Sequence, residues 1–175
     1  MTRHTFEMAP SGRSKCRGCG RTIAKGELRF GERLDNPFGD GDMTHWLHPR
    51  CAAHRRPEAL LEGLAALDYP ADDAEALQKW AGVAADHRRL PRLGAGERAP
   101  SGRARCRHCR ELIEQDAWRV PLIFVEEGQY SSSGFIHAAC VMAYAETDAV
   151  WDALECFAHG LAAAELASLK ASVMH

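Results

Sequence analysis

An eleven-residue stretch occurs twice in this chain. Ala9-Pro10-Ser11-Gly12-Arg13-Ser14-Lys15-Cys16-Arg17-Gly18-Cys19 returns ninety residues later as Ala99-Pro100-Ser101-Gly102-Arg103-Ala104-Arg105-Cys106-Arg107-His108-Cys109, identical at eight of eleven positions. Downstream, His48-x2-Cys51 is answered by His137-x2-Cys140, with 28 residues between Cys19 and His48 and 27 between Cys109 and His137. A fixed offset of this kind marks a duplicated structural unit. Two units within 175 residues leave no room for a large catalytic scaffold. Each module, of about fifty residues, can bury only a small core and needs a staple.

The repeated residues supply one. Zinc takes four tetrahedral nitrogen and sulfur ligands, and a Cys-x2-Cys knuckle turns two thiolates onto one metal. Cys16, Cys19, His48 and Cys51 form one set, and Cys106, Cys109, His137 and Cys140 the other. Burial of apolar cysteines, or an iron-sulfur cluster, would have to account for the same pairs arising twice. No run of about 18 apolar residues and no signal-like N-terminal stretch is present, so a soluble, intracellular setting is expected, where metal is favoured over disulfides. Four protein ligands leave no open position for water or substrate, so both Zn2+ ions are expected to be structural. His45 competes with His48 on the same short strand, and the repeat selects His48. His108, inside the second knuckle, should point away from the metal. Cys156 lies on the apolar side of a helix and reads as a small core residue.

The fold class expected is α+β, with a short antiparallel sheet and a helix in each module and further helices between and after them. Strands are expected over 27–34, 44–48 and 117–125, the last turned back at Glu126-Glu127-Gly128 towards Phe135-Ile136-His137. Apolar spacing predicts helices over 52–68 and 72–90, with Leu77, Trp80, Ala81 and Ala84 on one face. Pro91 to Glu97 reads as a linker. Thr147 is a candidate N-cap for a helix with Val150, Trp151, Leu154 and Phe157 on one face, and Gly160 a stop before a last helix over 161–173.

The pattern Ser11-Gly12-Arg13-x2-Cys16-x2-Cys19, Ile23, Leu28-Arg29 and His45-Trp46-Leu47-His48-x2-Cys51 resembles the zinc fingers of poly(ADP-ribose) polymerase type, which sense DNA breaks and also occur in a eukaryotic DNA ligase. The likeness covers residues 6 to 54, and, through its knuckle and Arg119, residues 99 to 142. Together with the helices and linker read from spacing, it gives a first finger over 1–55, a helical connector and linker over 56–98, a second finger over 99–142 and C-terminal helices over 143–175. The resemblance also implies binding of DNA nicks, gaps and ends by shape, without a sequence code. Arg13 and Arg29 in the first finger, and Arg103 and Arg119 in the second, would grip phosphates. Phe38 and Met43 would stack on the base pair that a break exposes. The middle loop of the second finger departs from the pattern, since Glu126 and Glu127 would repel phosphate, although Phe124, Val125 or Tyr130 offer apolar surface.

A net charge of -2 argues against a nucleic-acid partner until it is divided along the chain. Residues 1 to 33 hold eight basic side chains against three acidic, and residues 98 to 110 hold five against none, whereas residues 111 to 175 hold two against ten. The positive charge is concentrated at the openings of the fingers. No HExxH, phosphate loop or spare ligand position supplies chemistry, so a non-enzymatic DNA-end or nick binder is expected. The competing reading is a zinc-stabilised adaptor whose acidic C-terminal helices recruit a protein, such as a repair enzyme. Arg outnumbers Lys 18 to 4 and Ala occurs 29 times, which points to a GC-rich, bacterial genome and a cytoplasmic, nucleoid-associated protein with no membrane partner.

Overall fold

A computed structural model describes residues 2–175. The chain divides into two compact units, one running to Asp86 and the other from His87 onward apart from the turn Glu126–Gly128. Each unit holds one three-stranded antiparallel sheet.

In the first unit β1 (Thr5–Met8), β2 (Leu28–Asp35) and β3 (Asp42–Leu47) lie in that order, and α1 (Pro49–Arg55), α2 (Pro57–Ala66) and α3 (Ala74–Asp86) follow. Side chains alternate across a strand. Leu28, Phe30, Glu32 and Leu34 therefore share one face of β2, and Arg29, Gly31 and Arg33 the other. Phe30 and Leu47 pair across the sheet and are fully buried, together with Leu60 of α2 and Leu77, Ala81 and Ala84 of α3. On the opposite face the register sets Glu7 beside Arg29 and Trp46 beside Gly31. Any Cβ at Gly31 would stand 2.7 Å from the Trp46 ring, so glycine is what lets the indole lie across the strand.

The continuous helix expected over 52–68 is two helices. Pro57 lacks an N–H and drives the preceding residue out of the helical region, and Arg56 sits between the two at φ -132°. Arg56 also closes the core. Its guanidinium forks onto Glu32, with Nε 2.9 Å from both carboxylate oxygens, and Glu32 is only 1% exposed.

The second unit carries a 3-10 turn at Leu90–Arg92, β4 (Glu97–Arg98), β5 (Trp118–Glu126) and β6 (Gln129–His137). A 3-10 turn at Ala138–Cys140 leads into α4 (Val141–Ala145), α5 (Trp151–Phe157) and α6 (Ala163–Val173). Glu127 and Gly128 have φ of 50° and 74°, the doubly left-handed turn that joins β5 and β6 with only two loop residues. Val120, Leu122, Ile136, Val141, Leu154, Phe157, Leu169 and Val173 make the core. The apolar faces of α5 and α6 are thus spent within their own unit. Trp118 Nε1 donates to Ser168 Oγ at 2.9 Å, tying β5 to α6.

Two expectations fail here. The segment read as a linker is an ordered edge of the second sheet: Leu93 bridges Leu122, and the Gly94 N–H donates to the Pro121 carbonyl at 2.8 Å. Its glycines serve close approach rather than flexibility, since a Cβ at Gly94 would lie 2.9 Å from Pro121 Cγ and 3.0 Å from its carbonyl oxygen. Thr147 does not cap α5. Its hydroxyl accepts from the Ala149 N–H at 3.1 Å, one turn early, and Val150 occupies the cap without a side-chain bond. Gly160, at φ 89°, does stand between α5 and α6 as a left-handed stop.

Gly94→Ala distinguishes an ordered edge from a linker. In a linker this change is neutral or slightly stabilising. Against the Pro121 backbone it should cost about 1–3 kcal/mol, read as a lowered thermal midpoint.

Candidate zinc centres and nucleic-acid face

The two repeated sets of ligands converge. In each of Cys16, Cys19, His48, Cys51 and Cys106, Cys109, His137, Cys140 the sulfur and ring-nitrogen atoms all lie within 4.8 Å of one another. A tetrahedral zinc with bonds of about 2.3 Å to sulfur sets its donors about 3.8 Å apart, so the sets have zinc dimensions. His48 Nδ1 faces Cys19 Sγ at 3.5 Å and Cys51 Sγ at 3.8 Å, and His137 Nδ1 faces Cys109 and Cys140 at 3.4 and 3.8 Å.

The other imidazole nitrogen fixes the tautomer. His48 Nε2 lies 3.4 Å from Glu27 Oε1, and His137 Nε2 lies 3.1 Å from the Leu112 carbonyl. An Nε2–H held by an acceptor leaves the Nδ1 lone pair for metal, the usual outer support of a ligating histidine. Glu27 and Leu112 are unremarkable in the sequence, and no spacing rule would have found them.

Backbone amides prepare the sulfurs. The His48 N–H points at Cys16 Sγ at 3.3 Å, and those of His108 and His137 point at Cys106 Sγ, each at 3.4 Å. Burial works against the Cys106 thiolate, yet the N–H groups of Cys109, His137 and His108 bring it down to about 6. Cys140 is pushed up to about 12 by burial and by the charge on Cys106 and Cys109. Such a crowd of donors is uncomfortable without a cation and suits a divalent one. The two tetrads are zinc sites, and zinc worth on the order of 10 kcal/mol offsets the small cores.

His45 stays out of the first tetrad. It is buried on the core face of β3 opposite Glu32, and burial, then the Arg17 charge, hold its pKa below the usual range. The His108 side chain turns its ring edge to Tyr144.

The strand arginines are built alike in the two units. Arg29 lies with its guanidinium carbon 3.5 Å over the Trp46 ring, and its nitrogens reach Glu7 Oε1 at 2.5 Å and Ser14 Oγ at 2.9 Å. Arg119 lies 3.6 Å over the Phe135 ring with Glu97 at 3.3 Å. Each is only 8% exposed. Arg13 and Arg103, by contrast, are exposed on their knuckles. The rings beneath the strand arginines come from β3 and β6, and the carboxylates from β1 and β4, strands too short to leave a periodic signal in the sequence.

The loop between β2 and β3 differs from its counterpart. Asn36 Oδ1 accepts from the Phe38 N–H at 3.0 Å, the Asn36 N–H donates to the Gly41 carbonyl at 3.0 Å, and Gly41 takes φ 88°. This frame turns Phe38 outward, where it is 82% exposed. Met43 is half-buried at the start of β3, opposite Leu34. In the second unit the two-residue turn replaces this loop altogether. Phe124 lies 4.9 Å beneath the Arg92 guanidinium, and Val125 and Tyr130 are half-buried.

Residues 7–88 match the family described as poly(ADP-ribose) polymerase and DNA-ligase zinc-finger region. These residues are a PARP-type zinc finger. Over 144 residues, 78% of this chain, the sequence is 30% identical to poly [ADP-ribose] polymerase 1 of Oryza sativa subsp. japonica, a span longer than either finger alone. It is 31% identical over 129 residues to that of Gallus gallus and 32% over 130 to that of Danio rerio, 65% of this chain in each case. The matches cover only 12 to 14% of these relatives. All three are eukaryotic and lend no support to the bacterial source expected from composition. No helix among the described residues is long and apolar enough to cross a membrane.

Glu27→Ala should weaken zinc at the first tetrad 10- to 100-fold while the second keeps its affinity. Competition with a graded chelator, reading the two sites separately through Cys16→Ala and Cys106→Ala backgrounds, checks this.

Proposed function

We propose that the chain is a non-enzymatic binder of DNA strand breaks, and that it recognises nicks, gaps and ends by shape rather than by sequence. The observation that carries this reading is Phe38, a bare aromatic ring held outward by the framed β2–β3 loop of a zinc finger. Burying such a ring against solvent-exposed base surface is worth about 1–3 kcal/mol and is indifferent to base identity. An uninterrupted duplex offers it no such surface. The likeness to the finger region of poly [ADP-ribose] polymerase 1 supports the same reading.

Arg13 and Arg103, exposed and next to Gly12 and Gly102, would take phosphates directly. Arg29 and Arg119 would present the outer edge of a guanidinium already fixed by a ring and a carboxylate, trading some net charge for rigidity. Met43 would back Phe38 from the strand. The second finger, with a tight turn and two exposed carboxylates in place of the loop, would grip without stacking. A tandem pair could then hold one break from two points, the first finger reading the gap and the second adding affinity. The apolar faces of α5 and α6 are consumed inside their own unit, so little favours a protein adaptor built on those helices. We place the protein wherever broken DNA occurs.

Fluorescence anisotropy with a singly nicked duplex and an uninterrupted, end-blocked duplex of the same sequence tests the reading. Nicked DNA should bind at least tenfold tighter. Phe38→Ala should remove about 1–3 kcal/mol of that preference, and Arg13→Ala should lower the slope of log affinity against log salt by about one. Equal binding of the two duplexes would reject break recognition.

A further inference from the structure

The duplication provides an internal control, because any residue that differs between the knuckles stands out against its counterpart. The first knuckle carries Lys15, Arg17 and Gly20, and the second carries Arg105, Arg107 and Arg110 in the same places. Gly20 takes φ 75°, as expected of a glycine that closes the turn by donating its N–H to Cys16. Arg110 makes the equivalent bond to Cys106 at φ 73°, a left-handed conformation that an L side chain adopts under strain. An arginine retained where glycine is easier points to work for its side chain.

A second exchange lets the Arg107 side chain lie against the strand. Where the first finger has buried His45, three residues before its ligand histidine, the second has Gly134. A Cβ at Gly134 would stand 2.4 Å from Arg107 Nε. The Arg107 side chain lies there instead, beside an open cavity of about 370 Å³ lined by Arg105, Cys106, Arg107, Arg110, Gly134 and Phe135. That volume falls in the range of small-ligand sites. Arg105 donates to the Arg110 carbonyl at 3.3 Å, and among the described residues no carboxylate pairs with any of these three guanidinium groups.

We propose that this cavity is a phosphomonoester site, and that it takes the terminal phosphate of a broken strand. Three guanidinium groups lining one cavity match a dianion with three acceptor oxygens better than the singly charged diester of an intact backbone. The inference rests on the break-binding reading for its ligand, and it assigns the second finger a task that its missing stacking loop leaves open. It also accounts for divergence at two positions of the repeat at once, Gly20 to Arg110 and His45 to Gly134.

The test uses the zinc-loaded full chain and recessed duplex ends bearing a 5′-phosphate, a 3′-phosphate or hydroxyls only. One phosphorylated end should bind at least tenfold tighter than the hydroxyl end, and which one tells the strand polarity. Arg110→Gly restores the residue that the first finger has at the same φ, so the fold is kept, and the ratio between phosphorylated and hydroxyl ends should fall to one. Equal binding of all three ends overturns the phosphate site and leaves break recognition standing, and so does a preference that survives in Arg110→Gly. If no duplex binds, break recognition fails and the dinucleotide pTpT, titrated against TpT, decides the cavity alone. Amide shifts at residues 105–110 with pTpT only support the site, and equal responses overturn it.

Discussion

Everything in this chain hangs on a metal holding four donors that would otherwise repel or hydrate one another. Three sulfurs and an imidazole nitrogen stand within 4.8 Å in each unit. The amides aimed at Cys16 and Cys106, and the acceptors behind His48 and His137, make sense only if the sulfurs are thiolates and Nδ1 is a bare lone pair. Zinc then joins the knuckle, the end of β3 or β6, and the turn that starts the next helix. Those are three pieces of chain that a sheet of three short strands could not hold in register by itself.

With the frame fixed, strand alternation divides the labour. One face of β2 sends Phe30 and Glu32 into the core, and the other sends Arg29 over Trp46. The same arrangement on β5, with Arg119 over Phe135, means that the duplication copied a surface as well as a metal site. The units diverged at the places where zinc does not constrain them: the loop that lifts Phe38, the two-residue turn that replaces it, and the exchange of His45 for Gly134.

Much of this was legible in the sequence, because metal ligation is local chemistry and leaves its spacing on the chain. Both tetrads and the choice of His48 over His45 follow from the repeat, and the turned-away His108 from its place between the two knuckle cysteines. The longer strands and the apolar face of α3 follow from periodicity. What escaped has physical reasons. Thr5–Met8 and Glu97–Arg98 are strands of four and two residues, short of any periodic signal, and they owe their form to pairing with β2 and β5. Gly94 and Gly96 look like linker glycines until Pro121 and Leu169 are seen against them. The break in the helix at Pro57 was present as a proline and was outweighed by apolar spacing on either side. The outward set of Phe38 depends on a turn bond from Asn36 that composition does not reveal.

Zinc is what builds the surface proposed to meet DNA. That role is tested most directly by adding zinc to the metal-free chain while following far-ultraviolet ellipticity and the anisotropy of a labelled nicked duplex in the same titration. Both signals should be at their unfolded and unbound values without metal, rise together, and level off at two zinc ions per chain. A metal-free chain that is already folded, or that binds the nicked duplex as tightly as the loaded one, would contradict the account.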